Sequence, residues 1–248
     1  LTLKVSRFVE SYVNKKAYEQ TQRIDFNSQV DDHRIIFKQE VIATSALMIA
    51  KKKYGLKIIN EEGVDVDKNI IKGLEIIRSD CPEAIRPKLK SVMNSILSGD
   101  KDEETSKLIS KSKKELEGLS PEEIAANIGI NGINKYLSNG EPIKSTPWHV
   151  KGVYAYNTLL KELNIKNIYE PIYDKQKIKV VYVKYPRPYK FDFETVSFIK
   201  WPEEFNAILE VDYKKMIEKY FTNKIDMLLS PIGKQDLAVN KIDLDAFF

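Results

Sequence analysis

Apolar residues at Val5, Phe8, Val9, Tyr12 and Val13 recur at three- and four-residue spacing, which predicts an amphipathic helix over residues 3–18. The pattern changes after the polar stretch Asp25–Asp32. Ile35 to Ala43 is rich in β-branched residues and partly alternating, and predicts a strand; Tyr54–Asn60 predicts a second. Glu61-Glu62-Gly63 closes that strand with a turn, the glycine supplying a positive φ. Asp65-Val66-Asp67 follows as a solvated hairpin segment, and Ile70–Ile77 predicts a further strand or an approach to a helix. Leu89, Val92, Met93, Ile96 and Leu97 then mark a helix whose start is constrained by Pro82 and Pro87. An interior proline loses a hydrogen bond and clashes with the preceding turn, so the helix either kinks or begins at Pro87.

A charged helix is predicted over Asp102–Glu117. Ser120-Pro121-Glu122-Glu123 is a helix entry with a capping box. Asn131-Gly132 and Ser138–Pro142 are loops, Pro147–Leu163 a helix, Ile178–Lys184 a strand, Phe198–Pro202 a short strand, and Asp212–Leu229 a long helix. Ser230–Asn240 reads as a polar linker before an apolar-anchored tail, Lys241–Phe248. The fold class is α+β: a small antiparallel β/α portion, then a mainly helical one, with a boundary near 98–101. The chain opens at Leu1 without an initiator methionine, which suits a processed chain or part of something longer.

Composition narrows the function. The chain has 248 residues, a formal charge of +4 and 31% charged residues, which describes a globular, water-soluble chain. The longest near-apolar stretch, Val41–Ala50, is far too short to span a bilayer. One cysteine, Cys81, excludes a disulfide framework and suits a reducing, cytoplasmic setting. His33 and His149 are too far apart for a metal-ligand spacing, and no glycine-rich phosphate loop is present. Asp65/Asp67 and Asp243/Asp245 have the spacing of a metal-binding carboxylate pair, but one sits in a solvated hairpin and the other in a tail without a scaffold. No catalytic or metal-binding residue is therefore assigned.

Basic residues recur beside aromatics. Lys51-Lys52-Lys53-Tyr54 joins two β segments, so its ammonium groups would be held where they can meet successive phosphates, with the tyrosine ring against a sugar. A lysine-rich solubilising turn is the bland alternative. Lys144 and His149 lie in a second basic region and join the candidate DNA contacts, although His149 could equally be an ordinary hydrogen-bonded histidine.

Lys51-Lys52-Lys53-Tyr54, followed by Lys72-Gly73-Leu74-Glu75-Ile76-Ile77-Arg78-Ser79-Asp80-Cys81-Pro82, resembles the KKxY motif and the K-G-x-E-x-x-R-S-D-x-P segment of family B DNA polymerases. Asn139–Pro142 and Thr146–Gly152 are similar to that family's turn leading into a P-x-H-V/I-R/K-G helix start. The resemblance is to polymerases of the T-even phage type. It implies a distal palm portion over 1–98, a thumb over 99–229, and a linker with a clamp-binding tail over 230–248. It also implies duplex contacts from Lys51, Lys52 and Tyr54, with Lys72, Arg78 and Ser79 beside the primer strand. Pro87 departs from the family's helix pattern. The family's D-x-x-S-L-Y-P and Y-x-D-T-D motifs, fingers helix and D-x-E exonuclease motif are missing. The chain thus corresponds to the C-terminal third of a polymerase, whose Mg²⁺-binding carboxylates would sit on an N-terminal portion or subunit. The tail, with Leu244, Phe247 and Phe248 spaced as x-x-x-Leu-x-x-Phe-Phe, looks like a sliding-clamp peptide; a tail folded onto its own core is the alternative. Expected partners are primer–template DNA, the N-terminal portion and a sliding clamp, with no membrane, in the host cytoplasm if phage-encoded. A non-enzymatic DNA-binding clamp adaptor is the rival reading.

Overall fold

The computed structural model describes residues 2–24, 38–74, 81–184 and 194–238. Arg78, Ser79 and His33 lie outside them, as do Leu244, Phe247 and Phe248 of the tail. The class is α+β, as expected. The chain divides into two compact units, 1–72 and 73–248.

The first unit holds helix α1 (Thr2–Ile24) and an antiparallel sheet of β1 (Val41–Ala50), β2 (Lys53–Glu61) and β3 (Val64–Lys72), in that order. β1 starts later than Ile35-Ile36-Phe37 suggested; those three residues lie outside the described set, and the strand instead runs through the near-apolar stretch. β2 and β3 are joined by Glu62-Gly63, both at positive φ (51° and 88°), as a two-residue hairpin that follows the strands' twist requires. Buried Asn60 holds this end. Its side-chain oxygen accepts from Gln39 Nε2 (2.6 Å) and the Gly63 amide (3.0 Å), and its Nδ2 donates to Asp65 (2.8 Å). Asp65 and Asp67 stand within β3, after the glycine turn as the sequence order indicates.

The second unit begins with α2 (Ile85–Ser98), α3 (Asp102–Glu117) and the single turn α4 (Pro121–Ile124). Pro87 occupies the third position of α2, where the missing N–H has no intrahelical partner to lose, so no kink is needed. Ser120 and Glu123 form the predicted capping box. Next come β4 (Ala126–Gly129), the short hairpin β5 (Leu137–Ser138) and β6 (Glu141–Pro142), α5 (Trp148–Glu162), β7 (Lys177–Lys184), β8 (Thr195–Phe198) and β9 (Glu210–Val211). β7 is the central strand, flanked by β4 and β8, while β9 pairs with its C-terminal end; every pairing is antiparallel. β8 falls earlier than the predicted Phe198–Pro202, because Trp201 and Pro202 instead lead into a 3₁₀ turn, Glu203–Ala207.

The last helix begins at Asp212, whose carboxylate caps the Lys215 amide (2.9 Å). It runs as α6 (Tyr213–Ile217), a π-helical turn (Glu218–Thr222) and α7 (Asn223–Leu229). α2, α3 and this last helix pack together, with a buried Ser95–Thr105 hydroxyl bond of 2.9 Å between the first two. The stretch expected as a polar linker is folded as far as Ala238, which is buried. The Lys113 ammonium donates to the Ala238 carbonyl (2.7 Å), and Lys234 pairs with Asp102. Desolvation holds the Lys113 pKa below the ordinary lysine value.

α5 lies unusually close to β8. A Cβ on Gly152 would come within 2.6 Å of Ser197 Oγ and 2.8 Å of the Ser197 amide nitrogen. With glycine there, the Thr195 and Ser197 hydroxyls donate to the Trp148 and His149 carbonyls, each at 2.8 Å. Gly152→Ala should force the helix off the sheet and destabilise the second unit by about 3 kcal/mol, the upper range for overpacking a filled core. Urea unfolding of both proteins measures it; a difference below about 0.5 kcal/mol would mean that the helix shifts freely.

Candidate nucleic-acid interface

The lysine cluster forms the β1–β2 hairpin tip. Ala50 pairs with Lys53, leaving Lys51-Lys52 as a two-residue turn with both side chains exposed. Lys52 adopts φ +64°, the left-handed region that favours glycine. That conformation costs an L-residue roughly 1–2 kcal/mol, a cost that Glu62, Asn139, Asn164 and Lys175 bear as well. The neighbouring register brings two more predicted residues together. Tyr54 lies opposite Met48 on β1 and Lys72 on β3, so Tyr54 and Lys72 share a sheet face at the end carrying the lysine turn. Tyr54 is half-buried and Lys72 exposed, a ring held by its sheet beside a free-reaching ammonium. The result is a compact basic tip with one aromatic wall, suited to a polyanionic backbone.

Lys144 and His149 belong to the second unit. The β5–β6 turn places Asn139 and Gly140 at positive φ (53° and 84°), and Lys144 follows in the exposed link to α5. The Thr146 hydroxyl ties that link to the Tyr136 carbonyl (2.8 Å). His149 sits half-buried in the first turn of α5. Burial pushes its pKa below the ordinary histidine value, so it is neutral at pH 7. It can offer a hydrogen bond but no permanent charge.

Beside His149 stands an aromatic and cationic brace that spacing along the chain did not reveal. Trp148 meets His149 edge-on (centroids 5.7 Å apart) and stacks on Tyr182 (5.7 Å, 9° between planes). Lys219, from the π-helical turn, lies 4.0 Å from the Trp148 centroid and 4.9 Å from that of Tyr182, and donates to the Tyr182 hydroxyl at 2.7 Å. Lys215 lies 4.8 Å from the Tyr182 centroid and pairs with Glu194, which raises its pKa. With their faces shared between each other and these ammonium groups, the rings act as internal bracing for α5 rather than an open platform for a base. Trp148 and His149 are visible as neighbours in the sequence; Lys219 is 70 residues away and reaches them only through the fold.

Asp65 is engaged with Asn60 in holding the hairpin, and among the described residues no group of three or more His, Cys, Asp or Glu stands where it could hold a metal ion. Asp243 and Asp245 lie outside the described residues. Cys81 is buried. No helix among the described residues is long and apolar enough to cross a membrane.

An α+β chain with a lysine-tipped hairpin and a braced, basic helix start has the features of a nucleic-acid-handling protein. Comparison with known families is decisive: the model of DNA polymerase family B matches residues 2–231, and the chain belongs to that family. It is also 28% identical over 194 residues to the DNA-directed DNA polymerase of Enterobacteria phage T4, a match that covers 74% of this chain and 20% of the phage protein. The chain thus spans about a fifth of the length of that relative.

One variant separates strain from function at the tip. Lys52→Gly should leave stability unchanged or raise it by up to about 1 kcal/mol, since relief of the left-handed strain exceeds the entropy cost of glycine. The same change should weaken duplex binding and flatten the slope of log K against log salt by about 0.9. His149→Ala should leave that slope unchanged at pH 7, because a neutral ring releases no counterion. Its lowered pKa also sets a sign for stability. The folded state resists protonation, so stability present above the ordinary histidine value is lost as pH falls through the folded pKa, and His149→Gln should blunt that loss in melting curves taken between pH 7 and 5.

Proposed function

We propose that this chain is the palm end and thumb of a family B DNA-directed DNA polymerase, gripping primer–template duplex and recruiting a sliding clamp through its C-terminal tail. The reaction is attack of a primer 3′-hydroxyl on the α-phosphate of a dNTP, with pyrophosphate leaving. The two Mg²⁺ ions that such chemistry uses would be held by carboxylates of the remaining polymerase, on an N-terminal portion or subunit. The role of this chain is to hold the product duplex in register, with Lys51, Lys52 and Lys72 on the backbone and Tyr54 packed against it.

The observation that carries this reading is the hairpin: a lysine kept in a strained turn position, with Tyr54 and Lys72 paired beside it, inside a chain whose family match runs almost end to end. Arg78 and Ser79 would extend the contact along the primer strand. A clamp adaptor without polymerase chemistry draws no support from that match, which covers far more than a DNA-binding hairpin.

The purified chain alone should not extend a primer with Mg²⁺ and dNTPs, and adding the complementary polymerase polypeptide should restore extension. Vigorous synthesis by the isolated chain would refute the assignment. Lys51→Ala with Lys52→Ala should weaken duplex binding with little dependence on base sequence, because backbone contacts carry little base information.

Deleting Lys241–Phe248 tests the tail. The cut lies beyond Ala238, where Lys113 anchors the chain. Melting temperature and short-primer extension by the reconstituted enzyme should change little, while clamp-stimulated long synthesis is lost. Survival of clamp stimulation would assign the tail another role.

A further inference from the structure

Helix α1 is turned the wrong way for a helix that completes its own core. Its half-buried side is drawn from Ser6, Glu10, Asn14 and Ala17, and Glu10 and Ser6 hydrogen-bond Gln39 ahead of β1. Its apolar stripe faces out: Phe8 is 70% exposed, Tyr12 54%, Val5 52% and Val9 49%. At 3.6 residues per turn the centres of the two sides lie about two-fifths of a turn apart, with Val13 on their border. The Phe8 and Tyr12 rings stack along the stripe, with centroids 6.3 Å apart and 20° between planes. Lys16, paired with Glu19 at 2.7 Å, closes its C-terminal end, and exposed Lys4 and Lys15 flank Phe8. Single exposed apolar side chains need no explanation, but four contiguous ones over two turns, two of them aromatic, form a contact surface.

We propose that this stripe is the docking face for the rest of the polymerase, the polypeptide that carries the catalytic carboxylates. The inference rests on the polymerase reading above and adds the residues that make the joint. Two observations select this occupant over a second copy of the chain. A relative of the same family carries about four-fifths of its length in sequence this chain does not span, so in that relative most of the polymerase lies outside the matched region. The flanking lysines would also repel their own copies in a face-to-face dimer, whereas they complement an apolar groove with a carboxylate rim. Phe8 and Tyr12 would be the central anchors, Val5 and Val9 the surround that excludes water.

The test uses the full 248-residue chain and the complementary polymerase polypeptide as separate proteins, with affinity read by calorimetry. Phe8→Glu and Tyr12→Glu keep helix propensity and should each weaken association about thirtyfold or more, while Phe8→Leu weakens it far less. Duplex affinity, read through the lysine hairpin, should stay unchanged in all three. Equal affinity of wild type and the Glu variants would overturn this docking face and leave the polymerase reading standing. No association by the wild type would remove that reading together with this one. A wild-type homodimer that Phe8→Glu dissolves would assign the stripe to a second copy and overturn the inference. So would a fall in the isolated chain's melting temperature of more than about 5 °C in Phe8→Glu, since the stripe would then be covered by the chain itself.

Discussion

The second unit depends on the contact between Gly152 and Ser197, where a helix meets a strand too closely for any side chain between them. That approach brings the Thr195 and Ser197 hydroxyls onto the Trp148 and His149 carbonyls and so fixes the first turn of α5 on the sheet. Once that turn is fixed, Trp148 stacks on Tyr182 and Lys219 reaches over both rings. Val150, Val153, Tyr156, Leu159 and Leu160 then point into a core closed by the edge-on rings of Phe198, Trp201 and Phe205. The π-helical turn has a physical purpose in this arrangement, since it occupies the segment that presents Lys219 to the rings.

The first unit is built on the opposite principle. Its three-stranded sheet buries few large side chains, chiefly Leu47 and Ile58, and its best-satisfied interior group is polar, Asn60. Hydrogen bonds and two tight turns set its register more than packing does.

The candidate contacts on each unit differ in their chemistry. The hairpin lysines supply permanent charge that attracts phosphate from a distance and is screened by salt. His149, whose pKa burial lowers below the ordinary histidine value, would add direction without long-range pull. Lys215 and Lys219 are held by Glu194 and the aromatic rings, so they brace the fold.

The local elements were legible in the sequence wherever periodicity or a cap declared them. Asp102–Glu117, the Ser120 capping box, the Asp212 helix start and the Glu62-Gly63 turn all follow from side chains within four residues of each other. The KKxY and P-x-H-V-K-G segments likewise carry their family resemblance in contiguous residues. What pattern alone could not supply needed a partner distant in the chain. β4, Ala126-Asn127-Ile128-Gly129, has no strong alternation and is a strand because β7 pairs with it. Ser230–Ala238 reads as polar linker, yet it folds because Lys113 and Asp102 of α3 offer it bonds from more than a hundred residues away. Lys72 joins Tyr54 only through the register of β2 and β3, and Lys219 joins Trp148 only through the packing of the last helix on the sheet. The stripe on α1 shows the limit most clearly. Periodicity identifies an apolar face, but only the tertiary structure decides which side of the helix meets the chain, and here Ser6 and Glu10 take that place through their bonds to Gln39.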